Sequence, residues 1–404
     1  MSQSEGRSVS VPAPPAIIPT MLDPIYLDNA ATTQVRPEVR EAIAPLLGDE
    51  GFGNPSSAHR FGRTARAAVE QARQRVATAL GAKTDQVVFT SGGTEADNLA
   101  VLGGALAARS RGKPFHVAVT AIEHKAIIDA AKAVQTMDGR TTILPVDGNG
   151  VIEPRAVAEV LTDGVAVLSA MWVNNEVGTM QDVTDLARAC NEAGTMFHTD
   201  AVQAVGKLPC SLDMVPNACM SISGHKIGAL KGCGALIVPD DDLVCPLLHG
   251  GGQQRGVRPG TENVVGIVAL GKAVELAVQE LDATAQHVGK LRDSLEQGLK
   301  DALPQARVIG DTAPRAPHIA YMAFPGVDSS TLLMHLDMAG ICCSSGSACN
   351  TGTVTASHVL SAMNVPNELA VSAVRLSFSK HNTEEEVKRV IEILPPLVTK
   401  LTQE

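Results

Sequence analysis

Three groups of residues in this chain of 404 have the types and spacing to do chemistry. The first is "FHTDAVQAVGK…SISGHK", in which Asp200 closes an apolar run and a second apolar run, about two dozen residues on, leads into Ser223, His225 and Lys226. A carboxylate and a lysine brought together at strand ends can form a structural ion pair, or can hold a pyridine cofactor between them. The second is "TSGGTEADNLA", where Ser91-Gly92-Gly93-Thr94 lead from a strand pattern into a helical one. Free N–H groups and the helix dipole there favour an anion, although the same residues also make an ordinary strand-to-helix turn. The third is "ICCSSGSACNTG", Ile341 to Gly352, where Cys349 lies among serine, glycine and alanine that can bury nothing. An accessible thiol in such surroundings is free to react.

The first two groups meet the needs of one cofactor. Pyridoxal phosphate requires a lysine for its imine, an acid to keep the ring nitrogen protonated, a phosphate cradle and something flat against the ring. Lys226, Asp200 and the Gly93-Thr94 turn supply three of these, and His124 in "AIEHKAI", just past an apolar strand, can supply the fourth. Taken alone, His124 reads equally as a surface or satisfied core histidine.

These side chains need a scaffold that delivers them to one place. Short β-branched runs alternate with Ala-rich helical patterns from Ile25 to about Gly266: Gln86–Thr90, His116–Thr120, Val165–Trp172, Thr195–Asp200, Met220–Ser223 and Ala235–Val238. Such alternation predicts an α/β unit with a mostly parallel sheet whose ligands collect at the strands' carboxyl ends. The apolar-periodic stretch Glu262 to Leu303 predicts helix with a break, carrying the chain into a second unit. That unit should hold strands at His318–Phe324 and Ala373–Ser379, a helix from Ser329 to about Met338, and a last helix opened by Thr383. The expected organisation is a disordered Ser/Pro-rich tail over 1–24, a large domain over 25–280 and a small C-terminal α+β domain over 281–404. Residues 25–36 should form an arm on the small domain, and the cysteine loop should span 344–356.

Composition narrows the setting. Hydrophobic residues make up 45% and charged ones 19%, as in a folded globular chain, and 33 basic against 43 acidic residues give a formal charge of −10. No net positive field draws a nucleic acid, so none is expected as partner. No apolar run approaches the roughly 18 residues that span a bilayer, and the first twenty lack a basic start followed by an apolar block, so a cytoplasmic protein is expected. Eight scattered cysteines with no CxxC pair argue against zinc or a redox dithiol and fit a reducing compartment.

Longer motifs carry a resemblance. "YLDNAATT" (26–33), "GNPSSAH" (53–59), "TSGGTEADN", "IEHKAI", "VNNEVG" (173–178), "HTDAVQAVGK", "SGHK", "GGGQQRGVRPGTEN" (250–263) and "SSGSAC" occur in the order seen in cysteine desulfurases. The chain resembles that pyridoxal phosphate-dependent family over 25–401, and "SSGSAC" resembles its long-loop NifS/IscS type. It departs from the usual pattern after the lysine, reading "HKIGALKGCG" where relatives often have Gly-Pro, and in a Thr- and Gly-rich "CNTGTVTASHVL".

The resemblance implies an aspartate aminotransferase-like, fold type I transferase that is a homodimer. Lys226 would be the Schiff-base lysine, Asp200 the partner of the pyridinium, and His124 the residue on the ring face that also handles protons. Gln203 and Asn175 would address the ring hydroxyl side. Gly93, Thr94, Ser223 and His225 would hold the phosphate, with Thr261 reaching the phosphate of the partner subunit. Arg375 would clamp the substrate carboxylate, with Asn29 and Arg258 lining the same pocket and Asn175 beside the substrate. Lys226 would remove the Cα proton of L-cysteine, and Cys349 would attack its sulfur, giving L-alanine and a persulfide. The persulfide would pass to an iron–sulfur scaffold protein or another acceptor. No intrinsic metal is expected; Cys349 is the one residue that would serve as a transient iron–sulfur ligand. Small and hydroxyl-bearing neighbours predict that the cysteine loop moves. Cys342 and Cys343 read as a buried strand end. The competing functions are a selenocysteine lyase on the same scaffold and a non-catalytic protein of this fold that binds a sulfur carrier.

Overall fold

The computed structural model describes residues 23–48, 51–346 and 357–403. Cys349, most of its loop and nearly all of the expected tail lie outside them. The strands in the first half are Ile25–Tyr26 (β1), Val87–Thr90 (β2), His116–Thr120 (β3), Arg140–Leu144 (β4), Val167–Ser169 (β5), Met196–Asp200 (β6), Cys219–Ser223 (β7) and Gly234–Ile237 (β8). Those in the second half are Arg307–Val308 (β9), Ile319–Ala323 (β10), Ile341–Cys342 (β11) and Ala373–Ser377 (β12).

The expected mostly parallel sheet is present, with seven strands in the order β2-β8-β7-β6-β5-β3-β4. β8 runs antiparallel to both β7 and β2, so two reversals leave β2 pointing the same way as the parallel set. All the motif strands therefore discharge at one edge. β3, β6 and β7 are buried along nearly their whole length, which explains their continuous apolar reading.

Two differences from the sequence reading have simple causes. β4 was not anticipated because it is a sheet-edge strand in which only Leu144 is buried, so it shows neither an apolar run nor alternation. The apolar stretch Val165–Trp172 yields only three ladder residues. Beyond them Ala170 and Trp172 still donate to the carbonyls of His198 and Asp200, but as isolated contacts.

The expected helical break falls at Glu280, between helices Val264–Gln279 and Leu281–Ala302. The Glu280 carboxylate there accepts from Arg36 and Lys380, each at 2.7 Å. A second apolar cluster includes Leu295, Leu299, Phe324, Leu376, Phe378 and Leu394, and Ile25 and Leu27 join it. Each such side chain contributes about 1.5–3 kcal/mol when fully buried. Their burial holds β1 parallel to β11, with Ile25 opposite Ile341 and Tyr26 opposite Cys342. In the same layer β12 pairs antiparallel with β10, placing Arg375 opposite Tyr321.

Candidate active site

The strand ends and β12 enclose a cavity of about 640 Å³. Gly93, Thr94, His124, Asn175 and Asp200 line it, as do Gln203, Ser223, His225, Lys226 and Arg375. Residues as far apart as Gly93 and Arg375 thus share one wall, because β2, β3, β6 and β7 discharge at one edge of the large sheet and β12, from the separate three-stranded sheet, adds Arg375 to it.

Asp200 ends β6 and is buried, with Val202 N–H donating to its Oδ1 at 2.9 Å. Burial raises its pKa, while His124 and Lys226 pull it down. Lys226 follows β7 in a short helical turn, and its Nζ donates to the carbonyls of Ala30 and Ala31 at 2.7 and 2.6 Å. Burial, and next the Arg375 charge, push its pKa down to about 8 against the opposing pull of Asp200 and Asp28. Its amine is therefore neutral in a far larger fraction of molecules near neutrality than an exposed lysine's.

Gly93 opens the helix Gly93–Asn98 after β2. A Cβ there would lie 3.1 Å from a Val202 methyl and 3.4 Å from the Ser223 Cβ, so the backbone approaches closely where a side chain would crowd it. The first N–H groups of the helix have no intrahelical acceptors and suit an anion. Gln203 is oriented from both ends, donating to Ala30 O at 2.8 Å and bonded through Oε1 to His318 Nε2 at 3.1 Å. His225 bonds Thr32 through Nδ1, and burial followed by the Lys226 charge lowers its pKa to about 4, so it is neutral.

Arg375 presents an ordered fork. Nη1 donates to Asn175 O at 2.7 Å, and Nη2 donates to Asp28 Oδ1 and Ser344 Oγ, each at 2.8 Å. Its Nε is buried with no acceptor in the described structure, a charged donor still open to an oxygen.

Three predicted residues lie off this wall. Asn29 is buried, with its amide turned to Ser377 O and Asn382 Oδ1, where it fastens the arm. Arg258 pairs with Glu95 at 2.7 Å and so ties the 250–263 segment to the helix Gly93–Asn98. Thr261 is exposed.

Sequence reasoning passed over several acids that the fold brings to the cavity or just beneath it. Asp97 lines it, fully buried, with one carboxylate oxygen unpartnered. Burial, then Asp200, raises its pKa well above the ordinary range. Glu123 takes Thr120 Oγ1 at 2.6 Å and Met171 N–H at 2.8 Å on one oxygen, and burial raises its pKa to about 8. Glu176 accepts from Ser357 Oγ at 2.5 Å, and its pKa is raised by burial. Burial thus raises the pKa of all three acids at the base of the cavity, Asp97, Glu123 and Asp200, while His124 and Lys226 pull that of Asp200 back down. Each acid lies inside a quoted motif, yet a carboxylate in a sequence reads as solvated until its burial is seen.

Cys342 ends β11 and Cys343 follows it, and both are half-buried where a buried strand end was expected. Among the described residues no cysteine is disulfide-bonded, no cluster of His, Cys, Asp and Glu could hold a metal, and no helix is long and apolar enough to cross a membrane.

The family model described as aminotransferase class-V matches residues 25–390. The chain is 40% identical over 377 residues to the cysteine desulfurase IscS of Dictyoglomus turgidum, covering 93% of this chain and 95% of that one. Among solved structures, a NifS-like protein superposes with a TM-score of 0.86 at 36% identity, over 93% of this chain and all of the other. A structure of SspA in complex with cysteine superposes with a TM-score of 0.75 at 31% identity, over 89% of this chain and 100% of that one.

Proposed function

This chain belongs to the aminotransferase class-V family, in its cysteine desulfurase branch of the NifS and IscS type, and from that premise we propose how its own residues do the work. The substrate is L-cysteine and the products are L-alanine and a persulfide on Cys349. The observation that carries this reading is the convergence of Lys226, Asp200 and Arg375 on one cavity.

The family is pyridoxal phosphate-dependent, and the residues present fit that group. Lys226 offers an amine of lowered basicity, Asp200 a buried carboxylate that can face a protonated ring nitrogen, and the Gly93 turn, with Thr94, Ser223 and His225, a cradle for a phosphate. His124 accepts the Ala126 N–H on Nδ1, so its neutral ring carries a proton on Nε2. Asn175 and Gln203 lie on the same wall for the ring hydroxyl. When bound, the cofactor supplies an electron sink for the charge left at Cα.

Arg375 binds the substrate carboxylate through its fork, with Asp28, Ser344 and the Asn175 carbonyl holding the guanidinium still. Lys226 takes the Cα proton on Nζ, and its depressed basicity keeps an electron pair available near neutral pH. Cys349, as thiolate, gives its electron pair to the substrate sulfur; the carbon–sulfur bond breaks towards carbon, and protonation there completes alanine. Gly346, three positions before Cys349 in the sequence, lines the cavity, which supports that role.

The scattered cysteines support a cytoplasmic, reducing setting. Thr261, exposed and off this wall, is consistent with service to the site of a partner subunit in a homodimer. The acceptor of the persulfide is an iron–sulfur scaffold protein or another sulfur carrier. Purified protein given L-cysteine and a reductant should release sulfide and alanine in equal amounts; alanine without sulfide would sink the assignment.

Two further results are expected. Arg375→Lys replaces a planar fork by a point charge and loses a charge-assisted hydrogen bond of about 1.5–3 kcal/mol, so KM for L-cysteine should rise roughly 10- to 150-fold with kcat much less altered. An unchanged KM would remove Arg375 from substrate binding. Uptake of pyridoxal phosphate by cofactor-free protein, followed by absorbance, requires a neutral Lys226. Its rate should rise with pH and level off above about 8, whereas uptake still climbing beyond roughly 10 would match an ordinary lysine.

A further inference from the structure

Lys226 stands between two cavities. It lines the one described above and also a second, of about 160 Å³, onto which Arg36, Lys207, Ile227 and Gly228 open. Side chains therefore do not pack solidly behind the turn that carries this lysine, and close packing alone does not fix its position. The local sequence does not fix it either. Lys226 is followed by Ile227, Gly228 and Ala229, with no proline to set a backbone angle, and Gly228 has a φ of +86°, a conformation that glycine enters and leaves at little cost.

What holds the turn is a row of hydrogen bonds to successive carbonyl groups. His225 O accepts from the Thr33 N–H at 2.8 Å and from its hydroxyl at 2.9 Å. Lys226 O accepts from Lys207 Nζ at 2.9 Å, Ile227 O from Arg36 Nε at 3.1 Å, and Gly228 O from the Arg36 N–H at 3.0 Å. Lys207 and Arg36 are both buried, and hydrogen bonds from charged donors are roughly twice as strong as neutral ones. Arg36 is itself held from the other side: its Nη1 donates to Glu280, which also takes Lys380, each at 2.7 Å. The guanidinium thus ties the lysine turn to the break between the helices Val264–Gln279 and Leu281–Ala302. Contact is close as well, since a Cβ on Gly228 would lie 2.5 Å from Arg36 Cγ.

We propose that Arg36 and Lys207 are positioning residues for Lys226: they hold its turn forward, with Nζ on the Ala30 and Ala31 carbonyls at the larger cavity, against retreat into the smaller one. The proposal rests on the reading of Lys226 as the lysine that joins the cofactor. The charged and titratable groups acting on Lys226 are Asp200 and Asp28, which favour its cation, and Arg375, Lys207 and, when protonated, His124 and His225, which oppose it. A turn that slips back takes the amine away from Arg375 and the buried wall, so its basicity rises towards that of an ordinary lysine.

The test compares Arg36→Met, which loses both the Ile227 and Glu280 bonds, with Arg36→Lys, which keeps the charge but whose single amine cannot serve both acceptors. The first readout is the pH profile of pyridoxal phosphate uptake by the full chain freed of cofactor. In both variants the plateau should move up by about one pH unit, which lowers uptake at pH 7 about tenfold. The second is turnover of L-cysteine by the loaded protein: kcat should fall roughly 10- to 100-fold, as for a reacting group misplaced by about 1 Å, with KM within about threefold because the partners of Arg375 are untouched. Lys207→Met, which strips the donor from Lys226 O, carries the same test if the Arg36 variants fail to fold. A lowered unfolding temperature with an unmoved uptake profile would reduce the clamp to a structural role and overturn the proposal. So would a shift in Arg36→Met with none in Arg36→Lys, which would trace it to charge and not to position. Retention of the covalent cofactor absorbance by Lys226→Arg overturns the underlying reading of Lys226 instead.

Discussion

Cys349→Ala should keep the absorbance of bound cofactor and lose alanine and sulfide release from L-cysteine by at least roughly 10³-fold. The expectation follows from the division of labour at the site. In the proposed site, Lys226, Asp200, the Gly93 turn and Arg375 lie on the cavity wall, whereas Cys349 belongs to the segment that follows Gly346 in the sequence. On the proposed mechanism its removal deletes the nucleophile, so the loss should fall on kcat with KM little changed. Selenocysteine makes the experiment sharper. A selenium leaving group needs the thiol less, so alanine release from selenocysteine that survives the substitution, beside none from cysteine, would identify a thiol-dependent desulfurase with residual lyase chemistry. Turnover of L-cysteine within tenfold of normal would move the nucleophile elsewhere.

Lys226→Arg should be at least as damaging, with the covalently bound cofactor absorbance gone and turnover reduced by roughly 10⁴-fold or more. Arginine keeps a cation for the Ala30 and Ala31 carbonyls, which now accept from Lys226, and so limits the structural cost. Its pKa above about 12 denies the site both a neutral nitrogen to join the cofactor and a base for the Cα proton. Lys226→Ala tests the same chemistry with a different cost, leaving a hole beside buried Asp200. Agreement between the two would separate the chemical role from packing. A retained covalent absorbance in either would refute the assignment of Lys226.

Much of this site was legible in the sequence, and the reasons lie in particular elements. Strands such as His116–Thr120 and Met196–Asp200 lie inside the sheet, where burial on both faces makes an apolar run that stands out against its flanks. Helix Ser329–Met338 was readable because Asp328 caps it, its carboxylate taking the Thr331 N–H. The edge strand Arg140–Leu144 escaped notice because its exposed faces place no constraint on residue type. The motif residues were legible because a phosphate cradle, a ring partner and a carboxylate clamp each demand one side-chain type at one place.

The sequence by itself determined the family and the α/β alternation, singled out the lysine, aspartate and arginine that the fold brings to one cavity, and set Cys349 apart by its sequence neighbours. Only the tertiary structure decided how those groups are charged and aimed. Asn29 and Arg258 are turned to Asn382 and Glu95. Burial raises the pKa of Asp97 well above the ordinary carboxylate range and that of Glu123 to about 8. His124 accepts an N–H on Nδ1, whereas His358, at the same cavity, meets the Glu123 carbonyl through Nε2. Motifs and periodicity are recorded locally along the chain, whereas pKa and tautomer are set through space by burial and by partners distant in sequence, as Glu123 is from His358.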